Sequence, residues 1–235
     1  MDMAEENISS GTINRKITAL RSYFKFLQMQ GGKMKNPMAK IIAPKMAKRK
    51  TDFISEDEMM KILDEEYNAD DFDSLRNHLI IEILYSTGMR RAELAGLEES
   101  DISFYDKTVK VFGKRRKERI IPLNERTLEL IGKYLDMKRK CGINNTSFLV
   151  NRKGKALSVN QIYTIVHNIL LPYDIEKKSP HVFRHTCATH LINHGAEINN
   201  VKNLLGHASL TTTQVYTHTT IEILKREYKE NFKGV

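Results

Sequence analysis

The 235-residue sequence contains only two cysteines, Cys141 and Cys187. They are too few, and too different in context, for a disulfide framework or a zinc site. The sequence has no run of about 18 apolar residues, which a membrane-spanning helix would need. Its N-terminus, MDMAEENISS, lacks a basic segment followed by an apolar stretch, so no secretory signal is indicated. These absences predict a soluble, cytoplasmic protein.

Positive charge, by contrast, is in excess. Lys and Arg number 38 against 29 Asp and Glu, which gives a formal net charge of +9. Residues 1–50 hold eleven basic and three acidic residues, which leaves 27 and 26 for the other 185. A basic arm of this kind indicates a polyanionic partner such as nucleic acid, although a solvated lysine-rich face is the simpler alternative. The candidate DNA contacts in this arm are Arg15, Lys16, Arg21, Lys48 and Arg49.

The pattern of the N-terminal region predicts one amphipathic helix over residues 12–30, which stops at Gly31-Gly32. Its apolar residues recur at helical spacing: Ile13, Ile17, Leu20, Phe24 and Leu27. The stretch that follows is basic, contains a proline and shows little periodicity. We therefore expect a short helical N-terminal region over residues 1–39 and a basic interdomain linker over residues 40–52.

Residues 53–235 have the pattern of a mostly helical domain with a small sheet. Ser55 and Glu58 form a capping-box pair at a helix start, and Asn124 can cap a later helix. Short apolar runs near 102, 109–112 and 120–123 predict a small antiparallel sheet whose second hairpin has the tip GKRRKE. Helices are expected over residues 55–67, 74–85, 90–97, 124–140, 159–170, 180–193, 198–205, 210–216 and 221–232. The predicted fold class is therefore α+β, a mostly helical domain with a small antiparallel sheet behind a short helical N-terminal region.

Six side chains in this domain together suit phosphodiester chemistry, and four of them can stabilise the reacting phosphate. Attack on a DNA phosphodiester places additional negative charge on the non-bridging oxygens of phosphorus. Arg90 and Arg184 can hold that charge, because a guanidinium stays protonated and makes paired, planar hydrogen bonds to phosphate. His181 and His207 can add hydrogen bonds or transfer protons.

The other two side chains suit the covalent step. Tyr216 can act as nucleophile, because its phenol oxygen can form a phosphodiester with the cut strand and later be displaced by a hydroxyl. It lies in the polar segment TTTQVYTH, whereas Tyr85, Tyr163 and Tyr228 have apolar, periodic surroundings that favour core packing. Lys114, near the hairpin tip, is the best placed general acid for the leaving 5′ oxygen. These six side chains suffice for cleavage and rejoining without a metal.

These residues occur in an order that resembles the tyrosine recombinases, the phage-type integrases. The motifs are TGMRRAEL, GKRRKER, the H-x-x-R box from His181 to Arg184, LLGH ending at His207, and Tyr216 nine residues later. The segment ATHLINHGAEINNVKNLLGHASLTTTQVYTH is especially similar to Xer-type members. The resemblance covers roughly residues 12–220.

The resemblance implies a site-specific recombinase for integration, excision or dimer resolution, which forms a 3′-phosphotyrosyl intermediate and uses no metal or other cofactor. It implies a double-stranded DNA partner with an inverted-repeat site and a homo-tetramer on DNA, joined through the C-terminal helix. Residues 1–39 would be a partial core-binding, DNA-clamp region, and residues 53–235 the catalytic domain. Catalytic roles fall to Arg90, Lys114, His181, Arg184, His207 and Tyr216, and Glu93 would support Arg90 from one turn later.

The hairpin tip leaves one assignment open. Arg115-Arg116 stands where members of the family often have glycine after the lysine. Either Lys114 or Lys117 could therefore be the general acid. Arg115, Arg116 and Lys117 are in addition candidate contacts to the DNA backbone.

Three further histidines have simpler explanations. His185 lies one turn after His181 and is better explained as a hydrogen-bonded histidine that supports the site. His190 and His194 have a spacing that can bind metal, but they lack the glutamate of an H-E-x-x-H motif. No metal site is therefore predicted.

Two other functions fit parts of the pattern. A type IB topoisomerase uses the same chemistry without joining two duplexes. A DNA-binding accessory protein that does not cut would suit the short N-terminal region, although the complete set of six side chains argues against it.

Overall fold

The computed structural model of the chain describes residues 8–31, 36–44, 53–113 and 118–206. The chain divides into two compact units, residues 1–51 and residues 52–235. Within the described ranges these units contain eight α-helices and one three-stranded sheet. No helix in these ranges is long and apolar enough to cross a membrane.

The N-terminal unit contains helix α1, which spans Ser10–Met29. The side chain of Ser9 begins this helix, because its hydroxyl oxygen accepts a hydrogen bond from the backbone N–H of Thr12 at 3.3 Å. A short 3-10 turn, Pro37–Lys40, follows. The helix predicted over residues 12–30 is confirmed, with a start two residues earlier.

The larger unit is mostly helical, and the predicted α+β class is confirmed. Its described helices are α2 (Glu56–Leu63), α3 (Phe72–Thr87), α4 (Arg91–Ala95), α5 (Glu125–Lys140), α6 (Val159–Ile169), α7 (Pro180–Asn193) and α8 (Ile198–Leu205). Ser55, Asn124 and Ser158 begin α2, α5 and α6, since each side chain accepts a hydrogen bond from the N–H three residues later.

Helix α3 lies at the centre of the core. Thirteen of its 16 residues are buried, among them Leu79, Ile80 and Leu84, and it packs against α5, α6 and α7. Gly88 ends the helix with φ +57°, the left-handed conformation that glycine adopts most readily at a helix end. The chain thus leaves a rigid element two residues before Arg90.

Three short strands form an antiparallel sheet in chain order: β1 (Ile102–Ser103), β2 (Thr108–Phe112) and β3 (Glu118–Pro122). Val109 pairs with Ile121, and Val111 pairs with Arg119. Successive side chains of a strand point to opposite faces, and these four side chains are buried. The predicted sheet is confirmed, whereas residues 114–117 at the hairpin tip lie outside the described residues.

Two predicted helices are shorter in the structure. Helix α2 stops at Leu63 instead of continuing to residue 67, because the Leu63 carbonyl accepts a hydrogen bond from the Arg126 guanidinium at 2.5 Å. The ring of Tyr67 stacks instead on His78, with 4.1 Å between ring centroids. Helix α4 covers Arg91–Ala95 rather than residues 90–97. The helices predicted over residues 210–216 and 221–232 fall outside the described ranges.

The end of α3 offers a test of close packing. A Cβ atom at Gly88 would lie 2.5 Å from Cδ2 of Leu205 and 3.2 Å from Sγ of Cys187. We expect Gly88→Ala to lower the free energy of unfolding by about 2–4 kcal/mol, because backbone strain adds to overpacking. The matched control is Gly142→Ala, since Gly142 has φ +69° with open space around its Cβ position. It should lose only about 1–2 kcal/mol, the cost of the left-handed conformation for a residue with a Cβ atom. Equal losses in urea unfolding would contradict the close contact at Gly88.

The burial of His78 predicts an acid-sensitive fold. Burial, assisted by Arg126 and opposed by Asp64, lowers the pKa of His78 from 6.5 to about 4. Because the folded pKa lies below the unfolded one, the stability from neutral His78 is complete above pH 6.5 and is lost as the pH falls toward 4. We expect the free energy of unfolding of the wild type to decline over this window more steeply than that of His78→Asn. Parallel pH profiles would show that His78 is not the cause.

Candidate active site

Glu93 is the buried anion of the site. Its Oε1 atom accepts hydrogen bonds from Nη1 of Arg90 at 2.9 Å and from Nη1 of Arg119 at 3.0 Å. Its Oε2 atom accepts from the backbone N–H of Arg90 and from Nη2 of Arg119, both at 2.7 Å. Burial acts to raise the pKa of Glu93, but the hydrogen bonds from Arg119 and Arg90 outweigh it and lower the pKa below 4.5. Glu93 is therefore a carboxylate at neutral pH.

Backbone carbonyls fix the second predicted arginine. Arg184, on α7, donates from Nη1 to the carbonyl of Gly88 at 2.7 Å and from Nη2 to the carbonyl of Leu205 at 2.5 Å. Arg90 donates from Nη2 to the carbonyl of Gly206 at 3.4 Å. Burial and the nearby charges of Arg90 and Arg119 lower the pKa of Arg184 to about 10. The structure thus brings Arg90, Glu93 and Arg184 together.

The two predicted histidines of α7 differ in exposure. His181 is exposed and lies in the first turn of the helix, one turn before Arg184. His185 is half-buried, and its ring lies edge-on to Phe53 with 6.5 Å between centroids. The three-residue spacing places His181 and Arg184 on one face of α7.

The remaining predicted site residues of the larger unit fall outside the described ranges. These are Lys114, Arg115, Arg116, Lys117, His207 and Tyr216. Lys114 follows Gly113 at the end of β2, and Lys117 precedes the first residue of β3. His207 follows Gly206, whose carbonyl contacts Arg90. The last described residues before His207 thus contact the predicted arginines, since the carbonyls of Leu205 and Gly206 accept hydrogen bonds from Arg184 and Arg90.

The predicted DNA contacts of the N-terminal unit also lie partly inside and partly outside the described ranges. Arg15, Lys16 and Arg21 lie on α1 and are exposed. The guanidinium of Arg21 also donates to the carbonyl of Ile41 at 2.6 Å. Lys48 and Arg49 fall outside the described ranges.

Arg119 is the residue of the cluster that the sequence analysis missed. It lies in β3, its side chain is 5% exposed, and besides Glu93 it contacts the carbonyl of Leu204 through Nε at 2.9 Å. A signal was present in the sequence: Arg119 stands two residues before Ile121, so alternation places both side chains on the core side of the strand. A charged residue at such a position requires a buried partner.

The histidine pair of α7 has a structural role at His190. Its Nε2 atom lies 2.9 Å from the carbonyl oxygen of Ile54, and its Nδ1 atom lies 3.0 Å from the hydroxyl of Tyr85. Burial lowers the pKa of His190, so the ring is neutral at neutral pH. Among the described residues, no group of three or more His, Cys, Asp or Glu side chains could hold a metal ion.

Of the three tyrosines predicted to lie in the core, Tyr85 and Tyr163 have opposite outcomes and Tyr228 falls outside the described residues. Tyr85 is buried, as predicted. Tyr163 is 38% exposed, so its predicted core position is wrong. The guanidinium of Arg91 lies over the Tyr163 ring at 5.4 Å from its centroid, and the ring stacks on His167. Tyr163 is thus a surface aromatic residue in contact with Arg91, the residue after Arg90.

Comparison with known proteins identifies the class of enzyme. The family model described as the phage integrase family matches residues 52–222. A tyrosine recombinase XerC of Chlorobaculum parvum is 31% identical in an alignment that covers 99% of this chain and 76% of the relative. A XerC of Thermodesulfovibrio yellowstonii is 35% identical over 230 residues, which cover 95% and 76%. The chain belongs to the phage integrase family.

Solved structures agree with this assignment. The XerH site-specific recombinase bound to its difH substrate matches with a TM-score of 0.68 at 25% identity, over 97% of this chain and 64% of that one. The XerA recombinase matches in fold with a TM-score of 0.60 at 24% identity, over 92% and 76%. The chain is accordingly a tyrosine recombinase, an enzyme that breaks and rejoins DNA. Its similarity to proteins named XerC extends over almost its whole length.

Removal of the buried anion should be costly. Glu93→Gln leaves the guanidiniums of Arg90 and Arg119 without their charged partner, so we expect the free energy of unfolding to fall by about 3–5 kcal/mol. The matched control is Asp136→Asn, because Asp136 pairs with Arg139 and both side chains are exposed. It should lose no more than about 1 kcal/mol. Denaturant unfolding measures both, and a loss at Glu93 no larger than at Asp136 would contradict its role as the central anion.

Proposed function

We propose that this chain is a site-specific DNA recombinase that cleaves through Tyr216 and forms a 3′-phosphotyrosyl intermediate. The observation that carries the proposal is the pair of guanidiniums, Arg90 and Arg184, which backbone carbonyls and the Glu93 carboxylate hold in place. Donors fixed before the substrate arrives stabilise charge that develops in a transition state, because they need no reorganisation at that moment.

The guanidiniums of Arg90 and Arg184 bind the non-bridging oxygens of the scissile phosphate. His181 donates from the exposed first turn of α7 on the same face as Arg184, and His207 follows the Gly206 carbonyl beside Arg90. The phenol oxygen of Tyr216 attacks phosphorus as the bond to the 5′ oxygen breaks, and the phenol proton passes to His181 or His207. Lys114 or Lys117 supplies the proton to that oxygen.

The reverse reaction rejoins the strand. A 5′ hydroxyl attacks the phosphotyrosyl phosphorus, and the phenol of Tyr216 leaves with a proton returned to it. The bond energy of the phosphodiester is conserved in the covalent intermediate. The scheme uses the protein's own side chains and requires no cofactor.

We assign a division of labour to the two units. Residues 1–39 act as a partial DNA clamp, residues 40–52 as a basic linker and residues 53–235 as the catalytic domain. The basic residues of the N-terminal arm and of the hairpin tip contact DNA phosphates: Arg15, Lys16, Arg21, Lys48, Arg49, Arg115, Arg116 and Lys117. The XerH neighbour and the Tn1549 transposon integrase were solved in complex with DNA, which supports a DNA duplex as partner.

The site would be an inverted repeat, and the active form a tetramer on DNA joined through the C-terminal helix. Strand exchange in such a ring would serve integration, excision or dimer resolution. We place the reaction in the cytoplasm.

The proposal is tested by trapping the covalent intermediate. Duplexes bound by Tyr216→Phe are selected from a random library, and the recovered site is built into a nicked suicide duplex. We expect the wild type to give a covalent protein–DNA band on a denaturing gel and Tyr216→Phe to give none. The control is Tyr163→Phe, which removes the hydroxyl of an exposed tyrosine that lies against Arg91 but keeps the ring, and it should retain the band.

Each outcome decides between functions. A band that survives in Tyr216→Phe would exclude Tyr216 as nucleophile. Binding without a band in the wild type would favour a DNA-binding accessory protein. A band with relaxation of supercoils but no joining of two duplexes would favour a topoisomerase.

A further inference from the structure

Arg119 has the geometry of a side chain that acts through its neighbours. Its side chain is 5% exposed, whereas that of Arg90, which shares the same carboxylate, is 39% exposed. Arg90 can therefore reach a phosphate in solution, and Arg119 is closed off from one. We propose that Arg119 is a positioning residue for DNA cleavage, which fixes Arg90 through Glu93 and fixes the end of α8 that leads to His207. This inference rests on the proposed function.

Arg119 acts on Arg90 through the Glu93 carboxylate that the two residues share. Each oxygen of Glu93 accepts one hydrogen bond from Arg90 and one from Arg119. The carboxylate thus bridges the two residues, with four hydrogen bonds in total. Arg119 occupies two of the acceptor directions, so Glu93 cannot rotate without breaking bonds to both arginines. The orientation of the Arg90 guanidinium is thereby set from β3.

Arg119 also contacts the end of helix α8. Nε of Arg119 donates to the carbonyl of Leu204 at 2.9 Å. Gly206 turns over the guanidinium with φ +66°, and a Cβ atom there would lie 3.3 Å from Cδ and Nη1 of Arg119. His207 is the next residue. The same turn places the Leu205 carbonyl on Arg184 and the Gly206 carbonyl on Arg90.

Loss of Arg119 would change how the site responds to acid. The charged groups that face Glu93 are Arg90 on its own element, Arg119 from β3 and Arg184 from α7. Burial acts to raise the pKa of Glu93, and Arg119 is the largest of the influences that lower it. Without Arg119 the carboxylate protonates at higher pH, and a neutral Glu93 holds Arg90 less well. As the pH is lowered, the cleavage rate of the variant should therefore begin to fall at a higher pH than that of the wild type.

The test uses the full chain with Arg119→Met and Arg119→Lys. The Lys variant keeps the charge and one hydrogen bond, so it guards against a Met variant that fails to fold. The matched control is Arg76→Met, because Arg76 is also buried, pairs with Asp73 and contacts a carbonyl, that of Val150. The hydrogen-bond and ion-pair partners of Arg76 among the described residues are Asp73, Asn77 and Val150, and Glu93 is not among them. Arg76→Met should therefore change stability alone.

Two readouts are measured across pH. The first is the rate of covalent-band formation at saturating suicide duplex, together with duplex affinity. We expect Arg119→Met to cleave about 100-fold more slowly, as a misplaced reacting group does, with duplex affinity within about twofold of the wild type since Arg119 is closed off from phosphate. The second is carbon-13 NMR titration of the Glu93 carboxyl, assigned with Glu93→Gln. Its titration should move to higher pH in Arg119→Met and less far in Arg119→Lys.

The outcomes separate this inference from the proposed function. An unmoved Glu93 titration, or a cleavage rate per folded molecule equal to the wild type at every pH, would overturn the positioning role. A rate loss with the pH profile of Arg76→Met would do the same. A moved Glu93 titration with no covalent band in the wild type would support the positioning of Arg90 and reject the recombinase chemistry.

Discussion

The arrangement of the site depends on one carboxylate. Glu93 is buried between Arg90 and Arg119 and accepts two hydrogen bonds from each. A buried charge is tolerable only when it is paired and hydrogen-bonded. Glu93 meets this condition because both of its oxygens accept hydrogen bonds from both arginines. Because Arg119 lies on β3 and Glu93 on α4, the two hydrogen bonds from Arg119 also join the sheet to this helix.

Helix ends supply the other half of the arrangement. Gly88 ends α3, and Leu205 and Gly206 end α8. Carbonyls at a helix C-terminus lack intrahelical partners and carry partial negative charge. Here these carbonyls accept hydrogen bonds from Arg184 and Arg90. The cationic site is thus assembled where two helices present negative ends, and the helix lengths determine where each guanidinium lies.

The sequence predicted the fold class and the bounds of α7 and α8. Pro180 marks the first turn of α7, and the apolar periodicity of α8 together with Gly206 at its end is a strong local signal. It placed Tyr163 in the core wrongly. The buried stripe of α6 runs through Ile162 and Val166, and a residue adjacent to such a stripe turns about 100° away from it. Arg119 was missed for a different reason. Its partner, Glu93, is 26 residues away, and no local pattern in the strand indicates which residue it pairs with.

The arginine cluster also has a consequence for how the protein can change through evolution. Two guanidiniums contact a single carboxylate and a third, that of Arg184, lies nearby. Burial and the charges of Arg90 and Arg119 lower the pKa of Arg184, so its charge is disfavoured there. Substitutions that dilute this excess of charge would make the empty protein more stable and the enzyme less able to attract a phosphate. Selection for activity therefore holds the centre of the fold away from its most stable composition. A bound polyanion offsets the repulsion between the guanidiniums, so the enzyme is expected to be more stable when DNA is bound than when it is free.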